Sequence, residues 1–106
     1  MIAKKFRLPM GNFRAFPSQT LKSSSFLVKF HSNRLNYNRF GVTISAKVEP
    51  KSTRRHFFKR LFFDAIKNWP PLGKDFLIIV QANISYVPPE TVKSEIHLIG
   101  QKIQSL

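Results

Sequence analysis

The chain of 106 residues contains no cysteine. That excludes a disulfide scaffold and any thiolate metal site, and it suits a reducing compartment. Acids are scarce, five against 18 Lys and Arg. Those five, Glu49, Asp64, Asp75, Glu90 and Glu95, show no spacing that suggests a pair of catalytic carboxylates. The three histidines, His31, His56 and His97, fall in different expected elements and suggest no metal site. With four glycines in all, a phosphate-cradling GxxxxGK loop is absent. Long apolar runs are missing too: the purest, Phe76 to Val80, is far short of the about 20 residues a membrane span needs. The start, Met1 to Phe6, is basic and lacks the apolar stretch of a secretory signal. These absences predict a soluble, cytoplasmic protein with no catalytic residue of its own, no membrane partner and no small-molecule substrate.

What the chain does have is positive charge and phenylalanine. The net charge is +13, with 42% hydrophobic residues and 11 Phe. That is enough apolar material for one modest core, and too much for a disordered basic tail. The charge is uneven. Residues 1–60 hold 14 cations and a single acid, Glu49, whereas residues 61–106 hold four of each. Sustained charge of one sign opposes compact folding, so a polyanion is the natural partner. Ten of the eleven Phe lie at or before Phe63, interleaved with the cations, which suits stacking on unpaired bases.

The pattern along the chain predicts an α+β domain. Residues 1–9 read as a basic, flexible N-terminal arm, and residues 10–106 as a single RNA-binding domain. A short helix fits Met10–Phe16, limited by Pro17, and Ser18–Ser25 reads as a turn or loop. Phe26–His31 reads as a strand and Ser32–Asn38 as an Asn-rich connection. Phe40–Val48 alternates, with Val42, Ile44, Ala46 and Val48 on one face. A helix from Thr53 to Trp69 carries Phe58, Leu61, Phe62, Ala65, Ile66 and Trp69 as an apolar stripe, and Pro70 and Pro71 end it. Its opposite face carries His56, Arg60, Phe63 and Lys67, which points Phe63 away from the core. Phe76–Ala82 reads as a strand buried on both faces. Pro88-Pro89-Glu90 opens a last helix with Val92, Ile96, Ile99 and Ile103 as its core stripe and His97 exposed. Only three strands are clear, so a fourth belongs within or beside Ser32–Phe40.

Lys51, Arg54, Arg55, Lys59 and Arg60 place five cations in ten residues at the start of the amphipathic helix. Arginine forks and the free N–H groups of a helix start both favour phosphate.

The order of these residues carries a resemblance. The strand Phe40-Gly41-Val42-Thr43-Ile44-Ser45-Ala46-Lys47-Val48 runs into Lys51 and then Arg55-His56-Phe57-Phe58-Lys59-Arg60-Leu61. Gly73-Lys74-Asp75-Phe76-Leu77-Ile78-Ile79-Val80 follows, and Arg7-Leu8 and Phe13 precede. This resembles the bacterial ribonuclease P protein subunit over roughly residues 7–103. The departures are His56, where the family has Asn, and Phe57, where its R-N-R signature has a second basic residue; Arg54 is a substitute cation beside them.

The resemblance implies an αβββαβα order, a two-layer sandwich with one mixed sheet and a left-handed βαβ crossover. It implies a division of labour in which the catalytic RNA removes the 5′ leader of precursor tRNA using Mg²⁺ bound through that RNA. The protein would bind the ribonuclease P RNA and the precursor tRNA. Lys47, Lys51, Arg54, Arg55, His56, Lys59, Arg60 and Lys67 would meet RNA phosphates. Phe13, Phe16 and Phe30 would line a cleft that stacks leader bases. The alternative is a small basic protein bound to ribosomal RNA with no role in cleavage. A membrane-active protein and a protein nuclease rank below both.

Overall fold

A computed structural model describes residues 6–8, 18–81 and 84–105. The expected helix at Met10–Phe16 lies outside the described residues. The rest run β1 (Gln19–Lys22), β2 (Phe26–Ser32), β3 (Arg39–Thr43), α1 (Ser52–Ile66), β4 (Lys74–Val80), a 3₁₀ turn (Ile84–Tyr86) and α2 (Pro89–Gln104). The four strands form one mixed sheet in the order β1-β2-β4-β3. β2 pairs antiparallel with β1 and β4, while β3 and β4 are parallel neighbours joined through α1. This is the expected α+β architecture.

Register explains which side chains make the core. Phe30 and Phe40 both pair with Phe76, and Val28 and Val42 both pair with Ile78. These rows lie on one face, and both helices pack on it: Phe58, Leu61, Phe62 and Ile66 from α1, and Val92, Ile96, Ile99 and Ile103 from α2, join the same core. Phe40 and Phe76 stack at 5.4 Å between ring centroids, and Trp69 meets both edge-on at 6.0 and 5.1 Å. Offset and edge-on geometry of this kind adds to the area buried. Leu27, Lys29 and His31 pair with Ile79, Leu77 and Asp75 on the other face. There Leu8 and Leu77 form a second small cluster with Ile79.

Polar side chains lock the loops at one end of the sheet. Arg39 donates to both carboxylate oxygens of Asp75, Nε at 2.8 Å and Nη2 at 2.7 Å, and Asn33 Nδ2 adds a third bond at 2.8 Å. Burial pushes the Asp75 carboxyl up, but these hydrogen bonds and the charge of Arg39 outweigh it and hold it below the usual carboxylate value. Asn38 is buried; it donates to the Pro70 carbonyl and accepts from the Leu72 and Lys74 N–H groups. Gly73 has φ +66°, and a Cβ there would lie 2.6 Å from the Leu35 carbonyl oxygen. The Gly73-Lys74-Asp75 sequence thus serves a left-handed turn and a buried ion pair.

Four expectations are corrected. The fourth strand is Gln19–Lys22, inside the stretch read as a loop, and 33–38 carries none. Its four residues hold one apolar side chain, Leu21, too little for alternation to register. β3 stops at Thr43, since its partner Ile79 is one residue from the end of β4; the chain then turns, and Val48 and Glu49 donate to the Ser45 carbonyl. Ala46 is exposed. α1 ends at Ile66, because Pro70 has no N–H for the Ile66 carbonyl and its ring would clash with it, so that carbonyl accepts from Trp69 N–H at 2.9 Å in a closing turn. Phe63 is in the core. The helix touches α2 and β3 as well as the central strands, so its buried arc from Leu61 through Phe58 to Phe63 covers about 200° at 100° per residue. Of residues 1–9 only 6–8 are described; there Arg7 bridges Phe40 in parallel and Leu8 N–H donates to the Phe40 carbonyl at 2.9 Å. These residues lie along the outer edge of β3.

Candidate nucleic-acid interface

α1 presents its cations from a rigid base. Phe58, Leu61, Phe62, Phe63 and Ile66 anchor one side in the core, which leaves His56, Arg60 and Lys67 exposed on the remaining arc; Arg54, one turn before Phe58 on the core side, is exposed at the helix start. Arg55 and Lys59 lie on the core side of the helix and are half-buried. Lys47, in the turn after β3, and Lys51, at the N-cap, are exposed and extend the patch toward the helix start. The eight expected contact residues therefore belong to one helix and the turn leading into it.

The helix start is electrostatically unusual. Its first turn contains no acid, and no side chain caps it. A helix N-terminus carries about half a unit of positive charge, so Arg54 and Arg55 sit where cations are unfavourable. α2 shows the ordinary arrangement, with Glu90 in its first turn and Lys102 in its last. Positive charge concentrated at the positive end of a helix is relieved by an anion.

Glu49 partly offsets this charge from within. It is 5% exposed, accepts from Lys51 N–H at 3.4 Å, and pairs with Arg54 Nε at 3.4 Å. The Arg54 guanidinium also lies 5.8 Å from the centre of the Phe58 ring. Arg55 Nη1 donates to the carbonyls of Glu49 and Pro50 at 2.8 and 2.9 Å. Both arginines thus fasten the chain entering α1. A guanidinium has five N–H donors, so each keeps several for a phosphate. Lys67 lies 3.9 Å from Asp64, both mostly exposed, a pairing that adds little.

The expected leader aromatics divide differently. Phe13 and Phe16 lie outside the described residues. Phe30 is corrected: it is 2% exposed on the helix-facing side of β2, 6.0 Å from the Phe76 ring centroid. A ring enclosed there has no free face for a base. The alternation Phe26, Val28, Phe30 against Leu27, Lys29, His31 carries that signal, since the apolar set belongs to the core side. The reading missed Lys22 and Lys29, which stand with Thr20 on the far face of the sheet. It also left open Phe57, which is 50% exposed.

Among the described residues, no three or more His, Asp or Glu cluster as metal ligands. Their arrangement suits binding of a polyanion.

The comparisons agree with this geometry. A family model described as Ribonuclease P matches residues 13–104. No curated protein matches the chain. An RNase P protein from Thermotoga maritima superposes with a TM-score of 0.78, at 24% identity, covering 91% of this chain and 96% of that one. An RNase P protein from Staphylococcus aureus gives 0.80 at 17% identity, covering 93% and 94%. A mutant of the Staphylococcus aureus protein gives 0.85 at 17%, covering 95% and 90%. With a family model spanning most of its length and this shared fold, the chain belongs to the family of bacterial ribonuclease P protein subunits.

Proposed function

We propose that this chain acts by binding RNA at two places, while the chemistry of leader removal resides on the ribonuclease P RNA. The exposed side of α1 and the turn before it dock on phosphates of that RNA through Lys47, Lys51, Arg54, Arg55, His56, Lys59, Arg60 and Lys67. The 5′ leader of precursor tRNA lies on the sheet face turned away from α1 and α2, where Lys22 and Lys29 meet its phosphates; Phe13 and Phe16, outside the described residues, are the aromatics that the family resemblance assigns to stacking its bases. Mg²⁺ held by the RNA would supply the activated water. The described residues offer no ligand set for it. The site of action is the cytoplasm; no described helix is long and apolar enough to cross a membrane.

The observation that carries this reading is the helix start. α1 gathers cations at its own positive end, without a cap and without an acid in the first turn. Such an arrangement weakens an isolated helix and favours phosphate binding.

Salt titration of binding to the ribonuclease P RNA tests it. If about six phosphates are contacted, affinity falls roughly 10³-fold or more between 50 and 200 mM salt. Arg60→Ala removes one exposed cation with no ion pair among the described residues, so it should weaken binding and reduce the salt slope by about one. Arg55→Ala is a poorer probe, because it also frees the Glu49 and Pro50 carbonyls. A shallow slope, or one unmoved by Arg60→Ala, contradicts docking through α1.

A further inference from the structure

Two aromatic residues among the described ones are exposed, and both line the same groove. Phe57 is 50% exposed and Tyr86 88%. One cavity of about 630 Å³ lies between α1 and the loop entering α2, lined by Arg54, Phe57, Tyr86 and Pro88 among others. A second, of about 500 Å³, lies on the other side of Phe57, lined by His56, Arg60 and Lys93. Thr53, Phe57 and Pro89 line both, so the two are halves of one groove.

The groove combines stacking surface with positive charge. Phe57 is braced edge-on against the buried Phe58 ring, at 5.3 Å and 79°, which holds it in place before any ligand arrives. Arg60 and Lys93 carry no ion pair among the described residues. The one acid along the groove is Asp64, which faces Lys67. An apolar peptide seated here would cover the rings and leave the cations unanswered. A single-stranded nucleotide segment answers both, its base against a ring and its phosphates on the cations.

We propose that this groove seats an unpaired nucleotide of the ribonuclease P RNA, with the base stacked on Phe57 or Tyr86 and the neighbouring phosphates on Arg60 and Lys93. The occupant is assigned to that RNA because the groove is continuous with the exposed cations of α1. The proposal rests on α1 being the docking surface. Where Phe57 carries the stack, a stacking contact replaces a charge contact at a position where the family signature has a basic residue.

The test is affinity of the full chain for the ribonuclease P RNA at fixed salt, for wild type, Phe57→Ala, Tyr86→Ala and Phe57→Trp. Both positions are exposed, and a melting curve confirms that each variant is folded. One base–aromatic stack corresponds to roughly a 5-fold loss or more, so at least one alanine variant should weaken binding by that factor. The salt slope should stay at the wild-type value, since no phosphate contact is removed. Phe57→Trp should restore binding lost in Phe57→Ala. Unchanged affinity in both alanine variants overturns the groove assignment while leaving docking through α1 intact. A loss seen only when leader-bearing precursor tRNA is added assigns the groove to the substrate and overturns the proposal. Wild type that binds an unrelated folded RNA of equal length equally well overturns the underlying reading as well.

Discussion

Asp75 is 1% exposed and charged, and its partners decide what that costs. Removing one side of a buried pair leaves the other charge unsatisfied, so Arg39→Met should destabilise by about 3 kcal/mol at neutral pH. The carboxyl lies below its usual value in the folded state. Its contribution is therefore complete above the unfolded value, about 3.9, and is lost as pH falls through the folded one. In Arg39→Met burial is opposed only by the Asn33 hydrogen bond and the neighbouring His31, so the carboxyl lies higher than in the wild type and acid neutralises the stranded charge. The penalty of Arg39→Met should accordingly shrink below about pH 4. Denaturant titrations of both proteins between pH 7 and pH 3 check this; a penalty constant with pH contradicts the ion-pair assignment. Two glycines make a second case. Gly73→Ala meets both a left-handed backbone and the Leu35 carbonyl at 2.6 Å, so a loss of about 2 kcal/mol or more is expected in the same titration. Gly100→Ala would gain up to about 1 kcal/mol of helix propensity. Its Cβ, however, lies 2.5 Å from Trp69 Nε1, in a ring packed on Phe40 and Phe76 that cannot swing aside, so the net effect is destabilising.

At the level of elements, α1 and α2 contrast. α2 follows the usual charge rule with Glu90 and Lys102, and α1 breaks it. Ser52 is exposed in the first turn of α1. Ser52→Glu should therefore stabilise the fold by about 0.5 kcal/mol while weakening affinity for RNA. Thermal melts and binding read the two effects together; gain in both would contradict a phosphate site at the helix start. The same elements show how far the sequence is legible. The apolar stripes of both helices and the burial of β4 follow from periodicity, because many large side chains repeat at helical or strand spacing. β1 does not, since four residues with one apolar side chain carry no period, and its existence depends on pairing with β2. Phe63 escapes the stripe because a helix gripped by α2 and β3 buries a wider arc than one resting on a sheet. Phe30 escapes as a leader aromatic because its face is set by pairing with Phe76, a partner 46 positions along the chain. The cation cluster was legible as composition. The commitment of Arg54 and Arg55 to Glu49 and nearby carbonyls was not, because it depends on how the turn folds back on the helix.

For the molecule as a whole, the net charge of +13 is too large for stability to be its only constraint. The core fills one side of the sheet with both helices, which leaves the outer side of α1 and the far face of the sheet as two cationic surfaces. On the proposed function, each surface would hold one RNA segment, with the sheet between the two. The most direct measurement is cleavage of a precursor tRNA by the source organism's ribonuclease P RNA at low magnesium, with and without this protein. Cleavage at the mature 5′ end should depend on the protein, and the dependence should fade when the leader is shortened. Equal cleavage with and without it would contradict the role proposed for both surfaces.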